Sequence, residues 1–239
     1  MRVVDLYCGE GGAGAGYRNA GATLVVGVDL KATRRYPGAL FIRGDVLELD
    51  VEFLRQFDLV HASPPCQFGT ALRFAPGAKG AAGHVNLIPQ TRALLKRAGV
   101  PYVIENVAAV AAAGHLIDPI MLNGFMFDLG ATTSTGQRFH LDRERWFETN
   151  WGLAAPTRAW KRRTPVIGMY GGHVRNRSAA HGGRGTVDFP GEDRPALARE
   201  AMGMSWATMN GMSEAIPPAM TTFIGLAFRE ALAAQRRAA

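Results

Sequence analysis

A short apolar run that two prolines bring to an end constrains the fold of this chain more than any other feature. The run is Phe57-Asp58-Leu59-Val60-His61, and Ala62-Ser63-Pro64-Pro65-Cys66-Gln67 follows it directly. Such a run is typical of a buried strand in a parallel sheet. The prolines end it because each fixes its own φ and restricts the residue before it. The sequence therefore predicts a rigid bend that holds the Cys66 thiol at the carboxyl edge of a sheet, where open α/β folds bind their ligands.

Further apolar runs alternate with helical segments and predict βαβ units. We predict strands at Val3 to Cys8, Thr23 to Val28, Leu40 to Ile42 and Tyr102 to Ile104, strand-like segments at Met121 to Phe127 and Arg145 to Glu148, and helices from Leu87 to Ala98 and after Pro217-Pro218. The segment 149–200 has little apolar periodicity and is expected to be irregular. The fold class predicted is α/β, with a doubly wound, mostly parallel sheet and a small irregular insertion.

Length and composition exclude several classes of protein. The 239 residues, 47% of them hydrophobic, suffice for one core with a small appendage. No apolar stretch reaches the roughly 18 residues of a membrane helix, and the N-terminus lacks a signal-peptide pattern. The two cysteines, Cys8 and Cys66, predict a reducing cytoplasm rather than a disulfide framework. No CxxC or HxxxH spacing is present, so we expect no metal site.

The net charge of +7 is concentrated in one segment. Residues 149–187 contain seven basic residues and no Asp or Glu, whereas the remaining 200 residues contain 20 basic and 20 acidic residues. The same segment contains Trp151, Trp160 and Tyr170. Basic residues interleaved with aromatic ones favour a nucleic acid as the partner, although a solvated basic loop is the commoner outcome for charge runs in general.

Two groups of residues predict a ligand site at the sheet edge. Gly9-x-Gly11-x-x-Gly14, with Asp29 after the second strand, matches the dinucleotide fingerprint and would suit NAD or an adenosyl ligand. Glu105 ends the fifth strand, as Cys66 follows the fourth. Because consecutive parallel strands are often neighbours, we expect a thiol and a carboxyl group side by side. Such a pair can attack one atom of a ring and hydrogen-bond another.

Several motifs in order resemble those of the DNA (cytosine-5)-methyltransferases. They are Asp5-Leu6-Tyr7-Cys8-Gly9-Glu10-Gly11-Gly12, Ser63-Pro64-Pro65-Cys66-Gln67, Glu105-Asn106-Val107, Arg143-Glu144-Arg145 and Glu214-Ala215-Ile216-Pro217-Pro218. The resemblance spans the chain except roughly residues 149–200, where this family has its variable target-recognition region. The chain is similar to the compact forms found in bacteriophages. The small size of the region 149–200 leaves little room for a large recognition domain, so we expect a recognition sequence of roughly two to four base pairs, since direct readout needs several placed side chains.

The resemblance implies a Rossmann-like, S-adenosylmethionine-dependent enzyme that modifies double-stranded DNA as a monomer. It implies three regions: a catalytic and cofactor-binding core at 1–148, a basic target-recognition region at 149–200, and a C-terminal segment at 201–239 that returns to the core. The implied catalytic residues are Cys66, Glu105, Arg143 and Arg145. The implied cofactor-binding residues are Asp5, Tyr7, Gly9, Gly11, Gly12, Asp29, Asp45 and Pro64. The implied nucleic-acid-binding residues are Gln67, Arg73, Arg158, Lys161, Arg162, Arg163, Arg175 and Arg177.

The implied chemistry is methyl transfer through a covalent adduct. The target cytosine is flipped out of the duplex, and the Cys66 thiolate attacks its carbon 6. Glu105 contacts the ring nitrogen and exocyclic amine, and Arg145 contacts the carbonyl oxygen. Carbon 5 then takes the methyl group. The loop from Gln67 to Asn86, rich in Gly and Ala, is expected to close over the site.

Three other functions fit parts of the sequence. A tRNA cytosine-5 methyltransferase would use the same motifs. A DNA-binding protein without activity is suggested by Leu141, where the family has Gln, and by Ser213-Glu214, where it has Gly-Asn. An NAD-dependent dehydrogenase would explain the glycines and Asp29 but not Pro64-Pro65-Cys66 or the basic segment.

Overall fold

The computed structural model describes residues 1–66, 85–156, 165–176 and 189–238. The strands in these ranges are β1 (Arg2–Leu6), β2 (Leu24–Asp29), β3 (Leu40–Arg43), β4 (Leu59–Ala62), β5 (Tyr102–Asn106), β6 (Ile120–Leu122), β7 (Gly130–Thr132), β8 (Arg138–Leu141), β9 (Arg145–Thr149), β10 (Val166–Tyr170) and β11 (His173–Asn176). The helices are α1 (Gly12–Asn19), α2 (Val51–Leu54), α3 (Ile88–Ala98), α4 (Ala108–Ala112), α5 (Arg194–Met202), α6 (Met209–Glu214) and α7 (Pro218–Ala238).

A seven-stranded, mostly parallel sheet forms the main layer. Its strand order is β3-β2-β1-β4-β5-β9-β6, and β9 is antiparallel to both of its neighbours. Strand order reverses between β1 and β4, and open α/β sheets bind ligands outside the carboxyl ends of the strands at such a point. The predicted doubly wound α/β fold is confirmed.

The central strands are buried on both faces, which explains their continuous apolar sequences. All four residues of β4 and all five of β5 are buried. The helix predicted at residues 87–98 is confirmed as α3. It starts with a proline in its first turn and ends at Gly99, whose φ of +68° gives the left-handed cap that glycine favours.

A second, four-stranded sheet has the order β11-β10-β8-β7 and packs with α5 and α6. The prediction that 149–200 is irregular is wrong for its described part, which contains β10, β11 and α5. These strands are only four and five residues long, too short to show periodicity, and β10 is buried and paired with β8 from earlier in the chain. The division at residue 149 stays a prediction.

Two further differences from the predicted elements are local. The strand predicted from Met121 to Phe127 ends at Leu122, because the Asn123 side chain accepts a hydrogen bond from the Phe125 N–H and begins a 3-10 turn. The first strand ends at Leu6 rather than Cys8, and Tyr7 adopts a φ of +58°. The chain therefore turns sharply at Tyr7 as it enters the glycine-rich loop.

The C-terminal helix α7 packs against α1, the helix that follows the glycine-rich loop. Thr221 Oγ1 donates a hydrogen bond to the Ala13 carbonyl at 2.9 Å, and Thr222 Oγ1 donates to the Gly16 carbonyl at 3.1 Å. These hydroxyls bond carbonyl oxygens of the neighbouring helix, so the two helices approach closely. Residues from the end of the chain thereby support its first loop.

Two structural features are absent from the described ranges. None of their helices is long and apolar enough to cross a membrane. Within the same ranges, no three His, Cys, Asp or Glu side chains are grouped so that they could hold a metal ion.

Candidate active site

Cys66 lies four residues beyond the end of β4, between the ends of β1 and β5 in the sheet. The bend before it is fixed to β5, because Asn106 Nδ2 donates a hydrogen bond to the Pro64 carbonyl at 2.9 Å. Pro64 is buried and Cys66 is half-buried. The proline bend thus presents the thiol at the carboxyl edge of the sheet, in the way the sequence predicts.

Glu105, the fourth residue of β5, lies close enough to Cys66 for its charge to affect ionisation of the thiol. Burial raises the pKa of the Cys66 thiol, and the Glu105 charge raises it further. The positive charges of Arg145 and Arg143 act on the thiol in the opposite direction. The expected neighbouring thiol and carboxyl groups are therefore brought together.

Arg145 pairs with the Glu105 carboxylate from the antiparallel strand β9. Its Nε lies 3.0 Å from Glu105 Oε1, and each side chain is only 8% exposed. Burial raises the pKa of Glu105, while the charges of Arg145 and Arg143 oppose that effect. The carboxyl group thus has a pKa above that of an ordinary glutamate, although it faces a cation.

Arg143 is buried and bonded to main-chain carbonyls instead of facing the thiol. Its Nη1 donates to the Met169 carbonyl at 2.7 Å, and its Nη2 donates to the carbonyls of Ser213 at 2.7 Å and Ala215 at 2.6 Å. Burial lowers the pKa of Arg143 to about 9. Arg143 therefore joins β10 to the segment before α7. Its charge still acts to lower the pKa of the Cys66 thiol.

Three residues that the sequence analysis did not select lie behind Glu105. The Tyr17 hydroxyl is 2.9 Å from His61 Nδ1, and His61 Nε2 is 3.1 Å from Ser63 Oγ. The Ser63 side chain in turn hydrogen-bonds Glu105. Burial lowers the pKa of His61 to about 3, so this ring is neutral. The one sequence signal for this arrangement was a histidine inside an otherwise apolar strand.

The glycine-rich loop turns at the carboxyl end of β1. Gly9 and Gly11 have φ angles of +50° and +77°, and a Cβ at Gly9 would meet nothing within 4 Å. The Gly9 N–H donates to Asp29 Oδ2 at 2.9 Å, and the Lys31 N–H donates to Asp29 Oδ1 at 2.8 Å. The open space at Gly9 and the carboxylate beside it fit the approach of a ligand.

Other predicted cofactor residues have local partners. Asp45 Oδ1 accepts a hydrogen bond from the Leu47 N–H at 2.9 Å and so caps the short 3-10 turn that follows β3. Tyr7 is half-buried, with its hydroxyl 2.8 Å from Thr91 Oγ1; burial raises the pKa of Tyr7, and the Asp45 charge raises it further. Tyr7 and Asp45 therefore face the same part of the sheet edge.

Asp5 lies beneath the loop, where it is almost completely buried. Its Oδ2 accepts a hydrogen bond from the Gly14 N–H at 2.9 Å, whereas its Oδ1 has no partner among the described residues. Burial raises the pKa of Asp5 to about 7. In this structure Asp5 holds the start of α1 and carries one buried, unpaired polar atom.

A Cβ at Gly12 would overlap the Ile216 carbonyl oxygen. Glycine at this position lets the chain before α7 reach the loop. Glu10 makes a second link, because its carboxylate accepts hydrogen bonds from the N–H and the hydroxyl of Thr208, both at 2.7 Å. Two segments from late in the chain thus meet the glycine-rich loop directly.

Most of the predicted nucleic-acid-binding residues lie outside the described part of the chain. These are Gln67, Arg73, Arg158, Lys161, Arg162, Arg163 and Arg177, and nearly all of the loop expected to cover the site is also outside it. Arg175 lies on β11, the edge strand of the second sheet. Leu141, where the resemblance expected Gln, is fully buried in the core of that sheet.

Three solved structures share this fold over nearly their whole lengths. A prophage-encoded E. coli protein classed as a DNA modification methyltransferase is 14% identical, with a TM-score of 0.59 over 98% of this chain and 99% of that one. The Dnmt2 methyltransferase of S. pombe is 14% identical, with a TM-score of 0.58 over 97% of this chain and 99% of its own. A DNMT2 variant from Spodoptera frugiperda is 11% identical, with a TM-score of 0.57 over 96% of this chain and 100% of its own.

No protein-family model and no curated protein matches the sequence. At these levels of sequence identity, structural similarity is evidence for a shared fold alone. Together with the strand order and the glycine-rich loop after β1, it shows that the chain has the Rossmann-like α/β fold of S-adenosylmethionine-dependent methyltransferases.

Proposed function

We propose that this protein is a DNA cytosine-5 methyltransferase that uses S-adenosylmethionine. The observation that carries the proposal is the meeting of Cys66, Glu105 and Arg145 at the carboxyl ends of β4 and β5 in a methyltransferase fold. A nucleophile, an acid and a cation are the groups that addition to a cytosine ring needs.

The raised pKa values of Cys66 and Glu105 support a shared role for one proton. Moving the proton from the thiol to the carboxyl group gives a thiolate and removes the negative charge that raises the thiol pKa. Protonated Glu105 can then donate to ring nitrogen 3 of a flipped cytosine. Arg145 loses its anionic partner in this state, and its positive charge continues to favour the thiolate.

In the addition step the Cys66 sulfur forms a bond to carbon 6, the carbon 5–carbon 6 π electrons move towards the ring nitrogen, and nitrogen 3 takes the Glu105 proton. Carbon 5 becomes nucleophilic and would form a bond to the methyl group as the bond between that group and its sulfonium sulfur breaks. Glu105 would recover its proton from nitrogen 3, the carbon 5 proton would pass to solvent water, and expulsion of the Cys66 thiolate would restore the ring.

The sheet edge fits S-adenosylmethionine, which supplies an electrophilic methyl group when bound. Each oxygen of the Asp29 carboxylate already accepts one backbone N–H and has a second lone pair for a ribose hydroxyl. Tyr7 offers an aromatic ring, and Asp45 lies near it with a carboxylate. Asp5, Gly9, Gly11 and Gly12 shape the loop, and Pro64 sets the position of the thiol beside it.

The basic composition of residues 149–187 supports a nucleic acid as the substrate. The E. coli structure that this fold resembles is classed as a DNA modification enzyme, which favours DNA. Target recognition is assigned to residues 149–200, with Arg175 on β11 and the basic residues on either side of it.

A methyl-transfer assay tests the proposal. Purified protein is incubated with tritiated-methyl S-adenosylmethionine and unmethylated duplex DNA, with and without competing tRNA. We expect 5-methylcytosine in the DNA and at most weak competition by tRNA. A product found only in tRNA would assign the tRNA function instead, and no methyl transfer to either would contradict enzymatic activity.

A mechanism-based substrate tests the covalent step. A duplex that contains 5-fluorocytosine cannot lose a proton from carbon 5 after methylation, so the adduct should persist. Mass spectrometry should find this adduct on Cys66 in the wild type and none in Cys66→Ser. Cys8→Ser, which changes the other cysteine, should still form the adduct.

A further inference from the structure

A line of three polar side chains, two of them fully buried, leads from α1 to Glu105, and the proposed chemistry does not use it. Tyr17 and His61 are both 0% exposed, and each makes a hydrogen bond to the next member of the line. Ser63, beyond them, hydrogen-bonds Glu105. The line therefore joins the helix after the glycine-rich loop to the carboxyl group beside Cys66.

The direction of these hydrogen bonds follows from the number of protons available. When Glu105 is ionised it only accepts, so Ser63 must use its single hydroxyl proton on the carboxylate. Ser63 Oγ must then accept from His61 Nε2–H. Since His61 is neutral, its Nδ1 carries no proton and accepts from the Tyr17 hydroxyl. Every proton in the line points towards Glu105.

Packing alone does not explain these residues. The other residues of β4 are Leu59, Val60 and Ala62, and a buried imidazole costs more free energy than an apolar side chain unless both nitrogens are bonded. Both His61 nitrogens are bonded, and the result is a fixed orientation of the Ser63 hydroxyl. The arrangement thus orients the Ser63 hydroxyl for its hydrogen bond to Glu105.

We propose that Tyr17, His61 and Ser63 are positioning residues that hold the Glu105 carboxyl group in the orientation from which it contacts the target base. The proposal rests on the proposed function, in which Glu105 binds the ring edge. Tyr17 and His61 act through Ser63, and none of the three is assigned contact with the base.

The pKa of Glu105 can be measured, and a purely structural role of these residues would not change it. The charged groups that act on this carboxyl group are Arg145 and Arg143, and its own charge acts on the Cys66 thiol. The Ser63 hydrogen bond lowers the pKa of Glu105 because it stabilises the carboxylate. Loss of that bond should therefore raise the pKa of Glu105 while both arginines stay in place.

The experiment compares wild type with Ser63→Ala, Ser63→Thr and Tyr17→Phe. Tyr102→Phe is the matched control, because the Tyr102 hydroxyl on β5 donates to Glu148 at 3.2 Å and has no link to Glu105. The pKa of Glu105 is measured by NMR titration of protein labelled with carbon-13 at the glutamate carboxyl groups, and Glu105→Gln identifies its resonance. Methyl-transfer kcat and KM are measured on the same samples.

We expect Ser63→Ala to raise the Glu105 pKa and to lower kcat roughly tenfold, with KM for DNA within about twofold of wild type. Tyr17→Phe should cause a smaller change in the same direction. Ser63→Thr, which keeps a hydroxyl, should restore most of both values, and Tyr102→Phe should leave them unchanged.

The titration separates this proposal from the proposed function, because it needs no turnover. An unchanged Glu105 pKa in Ser63→Ala would overturn the positioning role whatever the enzyme's activity. A raised pKa in a protein that transfers no methyl group would support the hydrogen-bonded line and contradict the enzymatic function.

Discussion

Arg145 and Glu105 form a buried ion pair across β9 and β5, with Nε 3.0 Å from Oε1. The pair lies next to Cys66, and both charges affect the thiol. Burial and the Glu105 charge raise the pKa of the thiol while Arg145 lowers it, so the pair does not fix Cys66 as a thiolate. A change in the protonation of Glu105 would shift that balance.

Arg145→Ala should leave the Glu105 charge buried without a cation. Removing one partner of a buried pair costs about 3–5 kcal/mol of unfolding free energy. The matched control is Arg138→Ala, which breaks a pair with Glu200 whose side chains are 40% and 48% exposed, and it should cost less than about 1 kcal/mol. Urea denaturation at pH 7 measures both, and equal losses would show that burial of the Arg145 pair has no special effect.

Arg143→Lys should separate the structural role of this residue from a catalytic one. A lysine cannot reach all the carbonyls that the guanidinium bonds on β10 and in the segment 212–215, so we expect a loss of about 3 kcal/mol in unfolding free energy. Arg229→Lys is the control, since Arg229 donates to the single carbonyl of Ala20. Full stability of Arg143→Lys would mean that these bonds do not join the two segments.

The sequence predicted those parts of the site that depend on local sequence patterns. Buried parallel strands have recognisable apolar runs, and neighbouring strands bring Cys66 and Glu105 to one edge. The destination of Arg143 could not be predicted, because its partners lie 26 to 72 residues further along the chain. The role of His61 was also hidden, since it depends on Tyr17, 44 residues earlier.

Gly12→Ala should disturb the contact between the glycine-rich loop and the chain before α7. The added methyl group would overlap the Ile216 carbonyl oxygen, a backbone atom that cannot move alone, so we expect a loss of about 2–3 kcal/mol. Gly44→Ala is the control, because a Cβ there meets nothing within 4 Å and the glycine has no positive φ. Thermal unfolding compares the two, and an equally stable Gly12→Ala would show that the segments can separate freely.

Asp5→Asn tests the buried carboxyl group beneath the loop. Desolvation raises the pKa of Asp5 from 3.8 to about 7, so the folded protein keeps a proton that the unfolded chain releases. The stability that this group contributes is therefore fully present below about pH 4 and is lost as the pH rises to about 7. Asparagine does not ionise, so its contribution to stability does not depend on pH. Its side-chain carbonyl can still accept the hydrogen bond from the Gly14 N–H.

The unfolding free energy of Asp5→Asn, minus that of the wild type, should consequently rise by roughly 1.4 kcal/mol per pH unit between pH 4 and 7 and stay constant above pH 7. Urea denaturation at half-unit intervals of pH measures this difference. His61 has the opposite effect, since burial lowers its pKa to about 3, but it is present in both proteins and cancels in the subtraction. A difference that does not change with pH would mean that Asp5 is already ionised in the folded protein throughout this range, and its unpaired Oδ1 would then carry part of a buried charge.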